Sequence, residues 1–151
     1  MDYQVSIVGG GISGALAALY LGKSRVKTCL IDRGKPSQRL SNPYIGKTTS
    51  LNLSSIASLR DVGIWEDIKK NTQEFNEIYV WDAEGSSSVQ FKAEEISRND
   101  LGVIVHNNII LESIYSKLEQ ISEVTLIEEE SLKEISQDQN KIELISDSGL
   151  R

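Results

Sequence analysis

The stretch that decides the fold is Val5-Ser6-Ile7-Val8-Gly9-Gly10-Gly11-Ile12-Ser13-Gly14, followed by the apolar run Ala15-Leu16-Ala17-Ala18-Leu19-Tyr20-Leu21. This order is typical of a strand, a turn with glycines spaced G-x-G-x-x-G, and a helix. Gly9 lets the chain turn off the strand, Gly11 lets a ligand reach the backbone, and Gly14 lets the helix pack close to the strand. The sequence therefore predicts a helix whose N-terminal N–H groups face a phosphate.

A second strand is predicted over residues 26–31, and it ends at Asp32, which lies 18 residues after Gly14. In dinucleotide-binding units a carboxylate at about this spacing binds a ribose hydroxyl, and it disfavours a 2′-phosphate. The alternative is a glycine-rich turn without a ligand and an aspartate that only ends a strand. The order of strand, glycines, helix, strand and acid favours a dinucleotide site in an α/β fold.

Composition limits the classes of function. The chain has 151 residues, which fits one domain, and its net charge of −6 argues against nucleic acid and anionic membrane as bulk partners. Cys29 and His106 are the only residues of their types, so internal disulfides and the usual zinc sites are excluded. Cys29 lies inside the second strand and is predicted to be a buried structural thiol. With neither a transmembrane run nor a secretory signal, we expect a cytoplasmic protein.

The middle of the chain departs from a simple alternation of strands and helices. The first strand, over 3–8, is predicted to be buried on both faces, and the first helix to run from Ile12 and end at Gly22. Residues 33–47 form a long polar loop with both prolines. From Thr48 the pattern is helical up to Gly63, with Thr48 or Thr49 as N-cap. Residues 75–93 predict an antiparallel hairpin or meander inserted into the α/β unit.

The last third predicts a return to the parallel sheet. Residues 102–106 are predicted to form a short strand or a lead-in to the next helix, which Asn107 caps. That helix is predicted to run from Ile109 to Leu118, with Ile110, Ile114 and Leu118 facing inward. Residues 124–127 predict a strand that joins the parallel sheet, and 132–136 and 141–145 predict two more. The turn signal at 147–149 should precede another strand, so we expect the N-terminal fragment of a longer protein.

Several stretches together resemble the FAD-dependent aromatic hydroxylases of the para-hydroxybenzoate hydroxylase group, and most closely its ubiquinone-biosynthesis branch. The resemblance covers essentially the whole chain but only the first part of a family member. The stretches that carry it are 2–14, Leu30-Ile31-Asp32-Arg33, Lys47-Thr48-Thr49-Ser50-Leu51-Asn52 on to Val62-Gly63-Ile64-Trp65, and Leu101-Gly102-Val103-Ile104-Val105-His106-Asn107-Asn108. It implies a Rossmann-like FAD-binding domain with a parallel sheet and an inserted antiparallel β-meander, incomplete at its C-terminus.

The resemblance also implies a set of FAD contacts. The pyrophosphate would lie at Gly9, Gly10, Gly11, Ile12, Ser13 and Gly14, the adenosine ribose at Asp32, and the adenine near Arg33 and the backbone of Leu132. Lys47 stands where the family usually has an arginine near the pyrophosphate, and lysine keeps the charge without the bidentate fork. Asn108 stands where an arginine is common and His106 where a glutamate is common. These three departures concern the detail of the flavin contacts.

The activity implied by the resemblance is hydroxylation of an aromatic ubiquinone precursor, with NAD(P)H as electron donor and O₂ as oxidant. The substrate class is aromatic and polyprenylated, and lipid-tailed substrates imply peripheral association with the inner membrane. No side chain is nominated as catalytic, because the flavin performs the chemistry; a structural role is favoured for His106. We expect the 151 residues alone to be inactive. The alternatives are another FAD or NAD oxidoreductase and a non-catalytic nucleotide-binding module, which the departures at Lys47 and Asn108 favour slightly.

Overall fold

The computed structural model describes residues 2–35 and 46–150, and within them ten strands and four α-helices. In chain order these are β1 (Val5–Val8), α1 (Ile12–Lys23), β2 (Thr28–Asp32), β3 (Thr48–Asn52), α2 (Leu53–Asp61), α3 (Trp65–Ile68), β4 (Gln73–Phe75), β5 (Glu77–Trp81), β6 (Ser88–Lys92), β7 (Gly102–His106), α4 (Asn107–Leu118), β8 (Val124–Glu128), β9 (Leu132–Gln137) and β10 (Ile142–Ser146). Short 3-10 helices follow α3, at Lys69–Asn71, and β6, at Ala93–Ile96.

A parallel sheet with the strand order β1-β2-β8 carries the glycine turn. The central strand β2 is buried at all five positions: apolar Cys29, Leu30 and Ile31 lie in its middle, and polar Thr28 and Asp32 lie at its ends. The predicted entry of residues 124–127 into this sheet is confirmed. Burial of β1 on both faces was a wrong expectation: Val8 is 51% exposed, because β1 lies at the edge of the sheet that the described residues form.

Helix α1 packs against this sheet and against α4, which also contacts α3 and β7. Ile110, Ile114 and Leu118 of α4 are at most 1% exposed, which confirms the predicted inward face. The helix begins two residues earlier than predicted, and Asn107 is its first residue rather than its cap. His106 takes the N-cap position because its extended backbone continues β7, while the N–H of Asn107 donates to the carbonyl of Lys47 at 2.9 Å.

Gly22 lies inside α1 and does not end it, contrary to the prediction. The helix continues through Lys23. A β-carbon at Gly22 would lie 2.5 Å from Cγ2 of Val124 and 2.8 Å from Cγ2 of Ile121. The glycine is therefore explained by close packing of the helix against the segment that enters β8, and not by a need to stop the helix.

The helix predicted from Thr48 is also wrong in its first turn. Residues 48–52 form β3, which pairs antiparallel with β7 in the register Thr48–His106 to Asn52–Gly102. The helix α2 begins only at Leu53, and the side chain of Asn52 caps it by accepting the N–H of Ser55 at 2.9 Å. The β-branched pair Thr48–Thr49 suits a strand better than a helix.

The predicted β-insertion is present as two separate units. β4 joins β3 and β7 in an antiparallel sheet, and β5 pairs with β6 in a hairpin. One hairpin face carries four large apolar side chains that are 40–49% exposed: Ile78, Val80, Val89 and Phe91. The two strands predicted near the end of the chain form the antiparallel hairpin β9–β10.

Cys29 is 2% exposed and its thiol lies 3.2 Å from the hydroxyl of Ser6, which confirms a buried thiol in β2. Most of the loop predicted at 33–47 lies outside the described residues. Across 2–35 and 46–150, no helix has the length and apolar character needed to cross a bilayer.

Candidate functional site

The glycine turn between β1 and α1 has the geometry that its sequence predicts. Gly9 has φ +106°, a conformation that favours glycine, and its N–H donates to the carbonyl of Ile31 at 2.8 Å. A β-carbon at Gly14 would lie 2.0 Å from the carbonyl oxygen of Gly9, so the first turn of the helix packs directly on the loop. The chain therefore leaves β1 sharply and enters α1 beside the end of β2.

The surface of this turn is open at Gly11. A β-carbon added there would meet no atom of the described residues within 4 Å. Gly11 is the N-cap of α1, its carbonyl accepts the N–H of Ala15 at 2.9 Å, and the first turn contains no acidic residue. Because the N–H groups of a first turn have no partner within their own helix, those of Ile12 and Ser13 are suited to an anion, which the helix dipole also favours.

Asp32 links the end of β2 to the glycine turn. One carboxylate oxygen accepts the N–H of Gly10 at 2.6 Å, and the other accepts the N–H of Gly34 at 2.8 Å. Asp32 is largely buried, with 8% of the residue exposed to solvent. A carboxylate can accept hydroxyl groups as well as amides. The arrangement is suited to a ligand that places a ribose beside the turn.

Sequence reasoning missed Tyr115, which contacts the turn from α4. Its hydroxyl donates to the carbonyl of Gly10 at 2.8 Å, and its side chain is only 4% exposed. In the sequence, Tyr115 falls on the apolar face with Leu111 and Leu118, so the pattern predicts only a core position. Its contact with a residue 105 positions earlier has no local signal.

Arg33 and Lys35, the described basic residues that follow Asp32, lie in different surroundings. Arg33 is exposed, whereas the ammonium of Lys35 forms an ion pair with Glu129 at 2.9 Å. That carboxylate raises the pKa of Lys35. Lys35 is therefore held toward the loop after β8, whereas Arg33 is exposed to solvent.

Lys47 and Asn108 lie near each other at the start of α4. The carbonyl of Lys47 accepts the N–H of Asn107, the residue before Asn108. Lys47 is exposed and Asn108 is half-buried in the first turn. Asn108 is seven residues before Tyr115, which separates them by about 10 Å along the helix axis. Helix α4 thus carries Asn108, one of the predicted site residues, in its first turn, and Tyr115, which contacts the glycine turn, about two turns later.

Leu132 lies at the start of β9, opposite Ser146 of β10. It lines a cavity of about 770 Å³ between the parallel sheet and this hairpin, together with Ile31 and Ile127. Ile31 is the residue before Asp32, so the cavity wall continues from the end of β2. The structure thereby places Leu132 on the β2 side of the predicted site.

The fold and the turn together define a dinucleotide-binding α/β domain. The chain matches the FAD binding domain family over residues 2–144, and it belongs to that family. This confirms the family and the cofactor class expected from the sequence.

Known relatives are consistent with this family. The chain is 31% identical over 150 residues to the mitochondrial ubiquinone biosynthesis monooxygenase COQ6 of Dictyostelium discoideum, an alignment that covers 89% of this chain and 30% of the relative. The COQ6 of Rattus norvegicus is 29% identical over 128 residues, with 80% and 26% covered. The chain therefore spans about three tenths of these relatives or less.

The predicted fold class is confirmed by solved structures. The crystal structure of PqsL, described as a probable FAD-dependent monooxygenase from Pseudomonas aeruginosa, superposes with a TM-score of 0.74 at 16% identity, over 98% of this chain and 39% of PqsL. The p-nitrophenol 4-monooxygenase PnpA from Pseudomonas putida DLL-E4 gives 0.72 at 20% identity, over 96% and 36%. At these identities the likeness concerns the fold.

Proposed function

We propose that this chain is the FAD-binding part of a flavin-dependent monooxygenase, which in its complete form hydroxylates an aromatic ubiquinone precursor with NAD(P)H and O₂. The observation that carries the proposal is the position of the Asp32 carboxylate, 2.6 Å from the N–H of Gly10 in the turn that opens α1. Membership of the FAD binding domain family and the COQ6 relatives support the cofactor and the reaction class.

The glycine turn is the proposed site of the FAD pyrophosphate. Gly9, Gly10 and Gly14 shape the turn, Gly11 leaves its surface open, and Ile12 and Ser13 bring first-turn N–H groups to the phosphates. The turn fits a pyrophosphate for two reasons. Gly11 has no β-carbon, so the space above it is open, and the first turn of α1 has no carboxylate that would repel the phosphates.

Asp32 is the proposed partner of the adenosine ribose. Its two oxygens already accept backbone amides, which orients the carboxylate toward the turn. Arg33, exposed after the end of β2, and the backbone of Leu132 would then lie on the adenine side. A carboxylate here would repel a 2′-phosphate, so the site favours a dinucleotide with a free ribose.

Lys47 and Asn108 are the proposed residues near the far side of the pyrophosphate. An exposed lysine supplies charge without bidentate geometry, and an asparagine in the first turn of α4 supplies one amide. We expect them to hold the phosphates more weakly than two arginines would.

Bound FAD supplies the redox chemistry, and the residues of this chain bind and orient its adenosine end. The polyprenylated substrate and the peripheral contact with the inner membrane belong to the same proposal. They are supported by the COQ6 relatives, which are mitochondrial monooxygenases of ubiquinone biosynthesis.

The first test is the absorption spectrum of the ligand released when the purified complete protein is denatured. Released FAD, with NAD(P)H oxidation that depends on an aromatic substrate, supports the proposal. Release of NAD without flavin contradicts it and favours a dehydrogenase-like enzyme.

The second test is Asp32→Asn, with FAD affinity of the apoprotein measured by flavin fluorescence. Asparagine has one acceptor oxygen, so either Gly10 or Gly34 loses its partner, and we expect affinity to fall by about tenfold or more. Asp82→Asn is the matched control, because exposed Asp82 also accepts the N–H of the residue two positions later, at 3.0 Å. Equal affinity in the two variants contradicts the role of Asp32.

A further inference from the structure

The two peptide groups on either side of Gly10 are held by different elements. The N–H of Gly10 donates to Asp32 at the end of β2, and its carbonyl accepts the hydroxyl of Tyr115 from α4. Gly10, Asp32 and Tyr115 are all buried. The conformation of the turn at Gly10 is therefore fixed from the sheet on one side and from α4 on the other.

The contact with Tyr115 determines where the next N–H points. In a trans peptide the carbonyl and the N–H lie antiparallel, so the N–H of Gly11 points away from the carbonyl of Gly10. Because Tyr115 draws that carbonyl toward the buried side, the N–H of Gly11 is directed to the opposite side. Gly11 itself is exposed, and a β-carbon added there would meet no described atom within 4 Å.

Tyr115 also accounts for the glycine at position 10, which the G-x-G-x-x-G pattern does not require. A β-carbon there would lie 2.2 Å from the Tyr115 hydroxyl and 3.2 Å from Cβ and Oδ2 of Asp32. The hydroxyl occupies the space that a side chain would need. Gly10 and Tyr115 are therefore matched to each other in this chain.

We propose that Tyr115 is a positioning residue for the pyrophosphate of FAD: its hydroxyl holds the Gly10–Gly11 peptide so that the N–H of Gly11 faces the phosphates. This inference rests on the proposed function of the turn. Tyr115 itself contacts the loop and not the phosphates, and it acts through the orientation of that peptide.

The test is the affinity of the complete apoprotein for FAD, ADP and adenosine in the wild type and in Tyr115→Phe. Loss of the hydroxyl leaves a buried carbonyl without this donor, and we expect FAD and ADP to bind about tenfold more weakly. Adenosine carries no phosphate, so its affinity should change by less than about twofold. Tyr20→Phe is the matched control, because the Tyr20 hydroxyl donates to the carbonyl of Ser58 at 2.9 Å, in a contact between α1 and α2.

The outcomes separate the two proposals. If the wild type binds neither FAD nor ADP, the proposed function fails. If the wild type binds both and Tyr115→Phe binds them equally well, or loses adenosine to the same extent, Tyr115 is only structural and the inference is overturned.

Gly10→Ala provides a second variant that keeps the tyrosine. The added methyl group displaces the hydroxyl, so FAD affinity should fall at least as far as in Tyr115→Phe. Since both changes remove the same contact, Gly10→Ala with Tyr115→Phe should bind no more weakly than Gly10→Ala alone. Fully additive losses contradict the inference.

Discussion

Gly22 of α1 and Val124 of β8 lie so close that a single methyl group does not fit between them. The β-carbon of an alanine at position 22 would fall 2.5 Å from Cγ2 of Val124. The helix therefore approaches the strand at the distance that glycine permits, and this contact fixes the position of α1 relative to β8.

We expect Gly22→Ala to destabilise the protein by about 1 kcal/mol. Alanine gains roughly 1 kcal/mol in helix propensity, but overpacking costs about 1–3 kcal/mol. The measurement is the free energy of unfolding in urea. In a Val124→Ala background the same change should cost less, because the closer of the two clashing methyl groups is absent while Cγ2 of Ile121 remains, 2.8 Å from the added β-carbon. A stabilising effect in the wild-type background would show that the helix can move away from β8.

The next prediction concerns the N-cap of α2, which is Asn52 and not Thr48 or Thr49 as the sequence pattern indicated. Asn52→Ala removes the acceptor of the Ser55 N–H and should cost about 1 kcal/mol of unfolding free energy. Thr48→Ala, at the exposed start of β3, is the control and should cost less. A larger loss for Thr48 would favour the helix start that the sequence predicted.

The features that sequence analysis predicted correctly depend on local chemistry. Gly9 needs a positive φ, and Asp32 ends a buried strand at a fixed spacing from Gly14, so one chain segment suffices to predict where both lie. The helix end predicted at Gly22 was wrong, and Tyr115 was missed. Both residues have roles that come from contacts about 100 positions away in the chain, Gly22 with Val124 and Tyr115 with Gly10. Tertiary contacts of this kind leave no periodic signal in a single sequence.

The turn between β9 and β10 gives a prediction on pH. The N–H groups of Asn140 and Lys141 donate to Asp138 at 2.7 and 2.9 Å, and they lower the pKa of this carboxyl. A lowered pKa means that the stabilisation is present above the unfolded-state value, about 3.9, and is lost as the pH falls through the folded-state value.

Asp138→Asn should therefore lower the urea midpoint at pH 7 and lose this effect progressively below about pH 4. Glu134→Gln, exposed on β9 of the same hairpin, serves as the control. A difference between Asp138→Asn and the wild type that grows as the pH falls would contradict the assigned sign.

Gly14→Ala tests the packing of the helix on the glycine turn. Its β-carbon would lie 2.0 Å from the backbone oxygen of Gly9, which cannot rotate away as a side chain can. We expect a loss of about 3 kcal/mol in the free energy of unfolding, at the upper end of overpacking costs. A loss below about 1 kcal/mol, again from urea unfolding, would mean that the turn is not closed against the helix.

Gly11→Asp separates folding from cofactor binding at the same turn. Aspartate is a favoured N-cap and its charge suits the N-terminus of α1, so the free energy of unfolding should stay unchanged or rise by up to about 1 kcal/mol. The same carboxylate occupies the open space over Gly11 and repels phosphate, so FAD affinity should fall at least tenfold. The two effects are measured by urea unfolding of the apoprotein and by flavin fluorescence titration. Wild-type FAD affinity in Gly11→Asp would show that the pyrophosphate does not lie at this turn, even if the protein binds flavin elsewhere.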